Sequence, residues 1–370
     1  MNVPFVDLKR EANFCFDGLT QAFNQVVKSG IYINGPSVTT LESKISNYLN
    51  VQHCISVGNG SDALVFILRA LDIGDGDEVI CPGNSFIATS WAIRAVGAKP
   101  VFCDVCDDLL FSSQSFFSSV TSKTRAFIPV HLTGRVADIN SVRTFCSDNS
   151  IHIIEDSAQA FGAYDENGDF AGSLGVAGAF SLHPLKNFAV YGDGGLITTN
   201  DASLADKCRL YRNHGLVDRD SASIWGYNSR LDELQAAFAL VKFKYIEEWS
   251  SRYNQIANFY NSNLTGEIRK PNIRSKSRDV YHNYVILVPS ALRNILQAML
   301  RDEGIDTKIH YPIPLHKQKC FVDEFGDNYL LPNVELFASQ MISLPIYPLL
   351  KDSEISYVCD TFNRLYKKLV

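Results

Sequence analysis

His53-Cys54-Ile55-Ser56-Val57-Gly58-Asn59-Gly60-Ser61-Asp62-Ala63-Leu64-Val65-Phe66-Ile67-Leu68-Arg69-Ala70-Leu71 is a short apolar run, a glycine turn and a longer stretch of helical character. The same alternation repeats along the first two thirds of the chain and signals a parallel sheet with helical crossovers. Strands are expected at His53 to Val57, Glu78 to Cys81, Pro100 to Val105, Ala126 to His131, Ile151 to Glu155, Ala179 to His183 and Gly195 to Thr199. Helices are expected near Ser61 to Leu71, Ala88 to Val96, Ile139 to Asp148 and Leu204 to Asn213, and the first fifty residues read as helix and loop. In open parallel sheets ligands sit beyond the carboxyl ends of the strands, so the residues just after each strand are the candidates for chemistry.

From Arg230 an apolar-periodic stretch runs to about Leu264, long for one globular helix. It reads as the connection into a second lobe. With 370 residues, two domains are expected: residues 1–245 as a large one and 246–370 as a small α+β one. In the latter, His282 to Val288 reads as a strand, and Leu292 to Glu303 and Ile355 to Lys368 as helices.

The composition, 46% hydrophobic and 20% charged, is that of an ordinary globular enzyme. A net charge of -6, from 34 basic and 40 acidic side chains, supplies no positive field for phosphate backbones or anionic lipid, so neither nucleic acid nor membrane is an expected partner. The start, Met1 to Lys9, lacks the charged head and apolar stretch of a secretory signal, and a cytoplasmic location is expected. Nine scattered cysteines form no compact disulfide framework. Cys103-Asp104-Val105-Cys106 has the spacing of half a metal site but no accompanying pair, so no metal is expected there.

Three motifs could carry chemistry. Gly58-Asn59-Gly60-Ser61-Asp62-Ala63 opens a helix, whose N–H groups and dipole can seat a phosphate. It also fits a loosened dinucleotide fingerprint, with Glu78 near the place of a ribose-binding carboxylate, or it is simply a tight turn. Ile153-Ile154-Glu155-Asp156-Ser157-Ala158-Gln159-Ala160 puts two carboxylates and an amide at the end of a buried strand, where unpaired charge is costly. Asp156 could pair with a protonated pyridine nitrogen or cap a helix. In Phe180-Ser181-Leu182-His183-Pro184-Leu185-Lys186-Asn187, followed by Tyr191-Gly192-Asp193-Gly194-Gly195, a lysine just past a strand end is placed as a nucleophile. Such an amine must be neutral for part of its cycle, and a dry pocket lowers its pKa in that direction.

Taken together, Asn59-Gly60-Ser61-Asp62-Ala63-Leu64, Glu155 to Ala160, Ser181-x-His183-x-x-Lys186 and Gly192-Asp193-Gly194-Gly195 resemble the DegT-type sugar aminotransferases. Pro4 to Leu8, Asn34-Gly35-Pro36, Gly226 to Asp232 and Gln235-Ala236-Ala237 resemble further signatures of the family, so the resemblance covers nearly the whole chain. It implies the type I fold of pyridoxal-phosphate (PLP) transferases, an α/β fold with a mostly parallel seven-stranded sheet. It further implies that Lys186 holds PLP as a Schiff base and that Asp156 partners the ring nitrogen. By the same resemblance Gln159 lies beside the phenolic oxygen, Gly60, Ser61, Asp62 and Ser181 form the phosphate cradle, and Phe86 stacks on the ring. Asn228 corresponds to a residue that reaches the phosphate of the neighbouring subunit, which implies a homodimer with shared sites.

His310-Tyr311-Pro312-Ile313-Pro314-Leu315-His316 resembles the family's substrate-side loop, in a form similar to enzymes acting at C3 of dTDP-linked 3-keto-6-deoxyhexoses. His183, His310, Tyr311 and His316 are thus the substrate candidates. The implied reaction moves an amino group from L-glutamate to such a keto-sugar, in amino-sugar and polysaccharide biosynthesis. A 4-keto nucleotide sugar and a free keto-sugar are alternatives within the class. A nicotinamide-dependent oxidoreductase, resting on Gly58 to Ala63, and a non-catalytic PLP sensor are the rivals outside it.

Overall fold

A computed structural model describes residues 1–370. Seven strands form the central sheet: β1 (His53–Val57), β2 (Glu78–Pro82), β3 (Lys99–Cys103), β4 (Thr124–Phe127), β5 (His152–Asp156), β6 (Ala177–Ser181) and β7 (Gly195–Thr199). Their order across the sheet is β1-β7-β6-β5-β4-β2-β3. All run the same way except β7, which pairs antiparallel with both β6 and β1. The expected mostly parallel seven-stranded sheet is present, and β7 is its one antiparallel strand. The reversal has a functional consequence. Because β6 and β7 are antiparallel neighbours, the chain between them turns back without crossing the sheet, and residues 182–194 stay on the carboxyl edge where the other strands end.

The helix Gly60–Ala70 buries seven of its eleven residues, so its apolar surface runs nearly all round instead of along one stripe. It lies between the sheet and the helices Ile87–Ala95 and Ala202–Arg212. Strand β4 is shorter than its apolar run because Pro129 has no N–H to give the ladder; pairing resumes only as an isolated bridge of Val130 with Asp156.

The stretch from Arg230 to Leu264 is two helices, Glu233–Phe243 and Ile246–Asn263, with a break at Lys244 and Tyr245. At that break Tyr245 stacks on Trp249, and buried Lys242 pairs with Glu11 at 2.7 Å. Beyond it, β8 (Tyr284–Leu287) pairs antiparallel with β9 (Met341–Leu344), a strand the sequence pattern does not announce. Helices Ser290–Asp302 and Asp352–Leu369 pack together and share an apolar cluster with Tyr260, Tyr284 and Ile342. Val3 belongs to that cluster and bridges Ile305, whereas Phe321, Val334 and Phe337 join the core of the large sheet. The two cores therefore do not follow the chain order that a single cut at residue 245 assumes. No helix is long and apolar enough to cross a membrane.

Candidate active site

Adjacent residues at the end of β5 point to opposite faces of the sheet, as strand geometry requires. Glu155 faces inward and is fully buried. It accepts from the N–H groups of Gly172, Leu174 and Gly175, each at 2.7 Å, and lies 2.7 Å from His131 Nε2. His131 Nδ1 accepts from Ala137 N, so Nε2 carries the proton and donates to Glu155. Glu155 is thus fully engaged in holding loops together. Asp156 looks the other way, toward the cleft, accepting from Thr89 Oγ1 at 2.7 Å and Ala158 N at 3.2 Å. It retains acceptor capacity for a bound group.

Lys186 sits across the cleft on the turn-back segment, where its N–H donates to His183 O. Burial lowers its amine to about 8, and the Asp156 carboxylate pulls in the opposite direction without cancelling that shift. His310, His282 and Lys186 bear on one another. Desolvation, then the Lys186 charge, brings His310 down to about 4 and holds His282 well below the usual range. His183 contributes to the His282 shift and is exposed, while His310 Nδ1 lies 2.9 Å from Ser343 Oγ. His282 joins this cluster although no motif pointed to it.

Gln159 is buried and oriented by Thr133 N, which donates to its Oε1 at 2.7 Å; its Nε2 therefore faces outward and donates to Tyr311 Oη at 3.2 Å. Tyr311 in turn lies 5.6 Å, centroid to centroid, from Phe86. The Phe86 ring is half exposed at the cap of helix Ile87–Ala95 and free to face a planar ligand. The structure thus brings Phe86, Asp156, Gln159, Lys186, His310 and Tyr311 to one region.

At the start of helix Gly60–Ala70, the N–H groups of Gly60 and Ser61 donate to no group of the chain. They can hold an anion. A Cβ at Gly60 would stand 2.9 Å from Ser181 Cβ, so the helix start is pressed against the end of β6. Gly195 is required on the other side, since its Cβ would come within 2.4 Å of the Asn59 backbone. Asp62 stands in the first turn of the same helix: its N–H is taken by Asn59 Oδ1, and its carboxylate accepts from Ser229 Oγ at 2.6 Å and Asn59 Nδ2 at 3.0 Å, which ties the helix start to the segment bearing Asn228. Asn228 is exposed on the rim of a cleft of about 230 Å³ shared with Gly58, Asn59 and Asp62.

Two expectations fail here. His316 does not join the Lys186 cluster: it is fully buried beside Phe102 and Tyr329, with Nε2 3.0 Å from Glu335 Oε1. The dinucleotide reading of Gly58 to Ala63 fails on topology, because that motif needs β1 and β2 as parallel neighbours and β1 is instead at the sheet edge beside β7. Glu78, moreover, starts β2 instead of ending it, and is engaged by Thr121 and Lys99.

Residues 17–363 match the DegT/DnrJ/EryC1/StrS aminotransferase family. The chain belongs to that family. It is a PLP-dependent aminotransferase, with the fold of the type I enzymes. It is 40% identical to the dTDP-3-amino-3,6-dideoxy-alpha-D-galactopyranose transaminase of Aneurinibacillus thermoaerophilus, covering 98% of this chain and 99% of that one. It is 39% identical to the pleiotropic regulatory protein of Geobacillus stearothermophilus, covering 99% of each. The X-ray structure of S. venezuelae DesV in complex with a ketimine intermediate superposes with a TM-score of 0.95 at 36% identity, again covering 99% of each chain.

Proposed function

We propose that this aminotransferase moves the amino group of L-glutamate onto a keto-sugar, most closely a dTDP-linked 3-keto-6-deoxyhexose. The observation that carries this reading is the facing of Lys186, with its lowered pKa, and Asp156 across a cleft rimmed by a helix N-terminus. That donor set suits PLP: unclaimed N–H groups with Ser61 and Ser181 for its phosphate, a carboxylate with spare lone pairs for its ring nitrogen, and an amine for its aldehyde. When bound, PLP withdraws electrons from the carbon bearing the amino group and so makes that carbon's proton labile. Lys186 Nζ takes that proton and returns it to the neighbouring carbon, as general base and then acid. Asp156 holds a proton on the ring nitrogen. Phe86 would cover one face of the ring, and Gln159, oriented by Thr133 and donating to Tyr311, would offer its amide to the phenolic oxygen.

The sugar part of the reading draws on the printed activity of the Aneurinibacillus relative, on His310 and Tyr311 beside Lys186 and Gln159, and on exposed His183 near them. His310, with a pKa of about 4, is neutral near pH 7 and serves as a hydrogen-bonding group for hydroxyls. The proposed working form is a homodimer in the cytoplasm. Support for the dimer comes from Trp225, 97% exposed three residues before Asn228, and from Phe16 and Phe23, outward on helix Phe16–Ser29. A division into a large domain to residue 245 and a small one beyond fits the helix break there, with Val3 crossing over to the second core and Phe321, Val334 and Phe337 crossing back to the first.

The regulatory name of the Geobacillus relative raises a sensory reading, which turnover decides. Borohydride treatment of the PLP-loaded protein should fix the cofactor's mass on the peptide containing Lys186. A panel of nucleotide-linked 3-keto and 4-keto sugars and free keto-sugars, with glutamate, should give 2-oxoglutarate fastest with the dTDP-linked 3-keto sugar. Labelling at another lysine, or no turnover with any member, would reject the assignment.

A further inference from the structure

The first turn of helix Ile87–Ala95 carries two side chains toward the cleft from one side. Phe86 caps the helix and presents its ring, and Thr89, one turn on, is fully buried with its hydroxyl on Asp156 Oδ2 at 2.7 Å. Because the Thr89 proton is committed to the carboxylate, the 2.8 Å contact between Ser85 and Thr89 can be made only with Ser85 donating. Ser85 is itself 3% exposed. The result is a directional line of hydroxyls, Ser85 to Thr89 to Asp156, shut away from water and ending on the acid of the site. A buried polar chain of this kind polarises along its length, and each member fixes the direction of the next.

We propose that Thr89, oriented by Ser85, is a positioning residue that fixes the Asp156 carboxylate in the cleft. This rests on the reading that Asp156 faces the cofactor's ring nitrogen. Asp156 Oδ1 takes Ala158 N at 3.2 Å and Oδ2 takes Thr89 Oγ1 at 2.7 Å, so Thr89 supplies the shorter of the two restraints on the carboxylate and the only one from a side chain. With Oδ2 held by Thr89, the carboxylate keeps one orientation in which to face the ring nitrogen and its proton. Loss of the hydroxyl loosens the carboxylate, to the detriment of ring protonation.

The experiment uses holoenzyme loaded with PLP carrying ¹⁵N in its ring, read by NMR, together with the single-turnover rate with L-glutamate. Thr89→Val, nearly isosteric and without a hydroxyl, should move the ¹⁵N signal toward the unprotonated position and slow the half-reaction about tenfold or more. Thr89→Ser should restore both, which a purely packing role for the methyl group would not allow. Ser85→Ala should shift both in the same direction and by less. If Thr89→Val keeps the wild-type signal and rate while Asp156→Asn moves them, the proposal falls and the role of Asp156 stands. If Asp156→Asn also leaves the ¹⁵N signal in place, the reading of Asp156 falls, and the proposal with it. Should Thr89→Val fail to hold cofactor, Ser85→Ala decides alone, and a wild-type signal and rate there overturn the proposal.

Discussion

Glu155 and Asp156 are consecutive in the chain and do unrelated work: Glu155 is closed off by His131 and three backbone N–H groups behind the sheet, and Asp156 opens onto the cleft in front of it. The strand's two-residue period separates them. One acid secures the loops at the carboxyl edge, and the other keeps lone pairs for a ligand.

Isosteric amides at the two positions should therefore fail in different ways. Glu155→Gln turns an NH₂ toward backbone donors that need an acceptor, and leaves at least one of them buried without a partner. We expect a loss of about 3 kcal/mol or more in the free energy of unfolding, measured by denaturant titration. Asp156→Asn should leave unfolding within about 1 kcal/mol of wild type and reduce the glutamate half-reaction by about 100-fold or more. Equal destabilisation by both would contradict the division.

Lys186 gives the cofactor-free protein a pH dependence of known sign. Its folded pKa, about 8, lies below the ordinary 10.5, so between those values the unfolded chain holds a proton that the folded chain has released. Stability should rise with pH across that window, and the full cost of the buried ammonium is present below about pH 8. Lys186→Met removes the cost. The apoprotein variant should be more stable than wild type by on the order of 2 kcal/mol at pH 7, with the gap closing toward pH 10. A gap independent of pH would show that the amine is not held in a dry site.

Much of this was legible before any coordinates, and what was not has identifiable causes. Strands β1 and β7 match their expected limits because each is bounded by turn-forming residues. The direction of β7 was not legible, since periodicity records which face is buried and not which way a strand runs. Lys186 and Asp156 lie at strand ends, and strand ends can be read from pattern. His282 and Thr89 reach the site through tertiary packing. For Thr89 a signal did exist: it stands three residues after Phe86, in the first turn of the helix expected near Ala88 to Val96. His316 misled because proximity along a loop was taken for proximity to its ligand, whereas the short helical turn Leu315–Lys317 rotates its ring into the core.

Gly60→Ala tests the anion seat without touching a charge. The added Cβ meets Ser181 Cβ at 2.9 Å and Cα at 3.1 Å, neither of which is a flexible tip that can swing aside. Helix Gly60–Ala70 should back away from the end of β6 by a few tenths of an ångström, carrying the N–H groups of Gly60 and Ser61 with it. PLP affinity, followed by absorbance titration of the apoprotein, should fall about tenfold or more. Helix content by circular dichroism should be unchanged, because alanine favours helix over glycine. Unaltered affinity would mean the phosphate is held elsewhere.

The contrast between His316 and His310 separates packing from recognition. His316→Ala empties a fully buried ring position, at a cost of about 2 to 3 kcal/mol in stability. Its effect on KM for the sugar should stay within about twofold, because no atom of His316 is exposed to a substrate. His310→Ala removes a neutral hydrogen-bonding ring in the Lys186 cluster, and should raise KM for the sugar about tenfold with a smaller loss of stability. Because His310 titrates near pH 4, neither effect should vary between pH 6 and 8 on its account. Steady-state kinetics against each substrate in turn, set beside thermal unfolding of the same preparations, distinguishes the two. A KM effect at His316 larger than at His310 would return that residue to the substrate side of the cleft and require the loop to move when sugar binds.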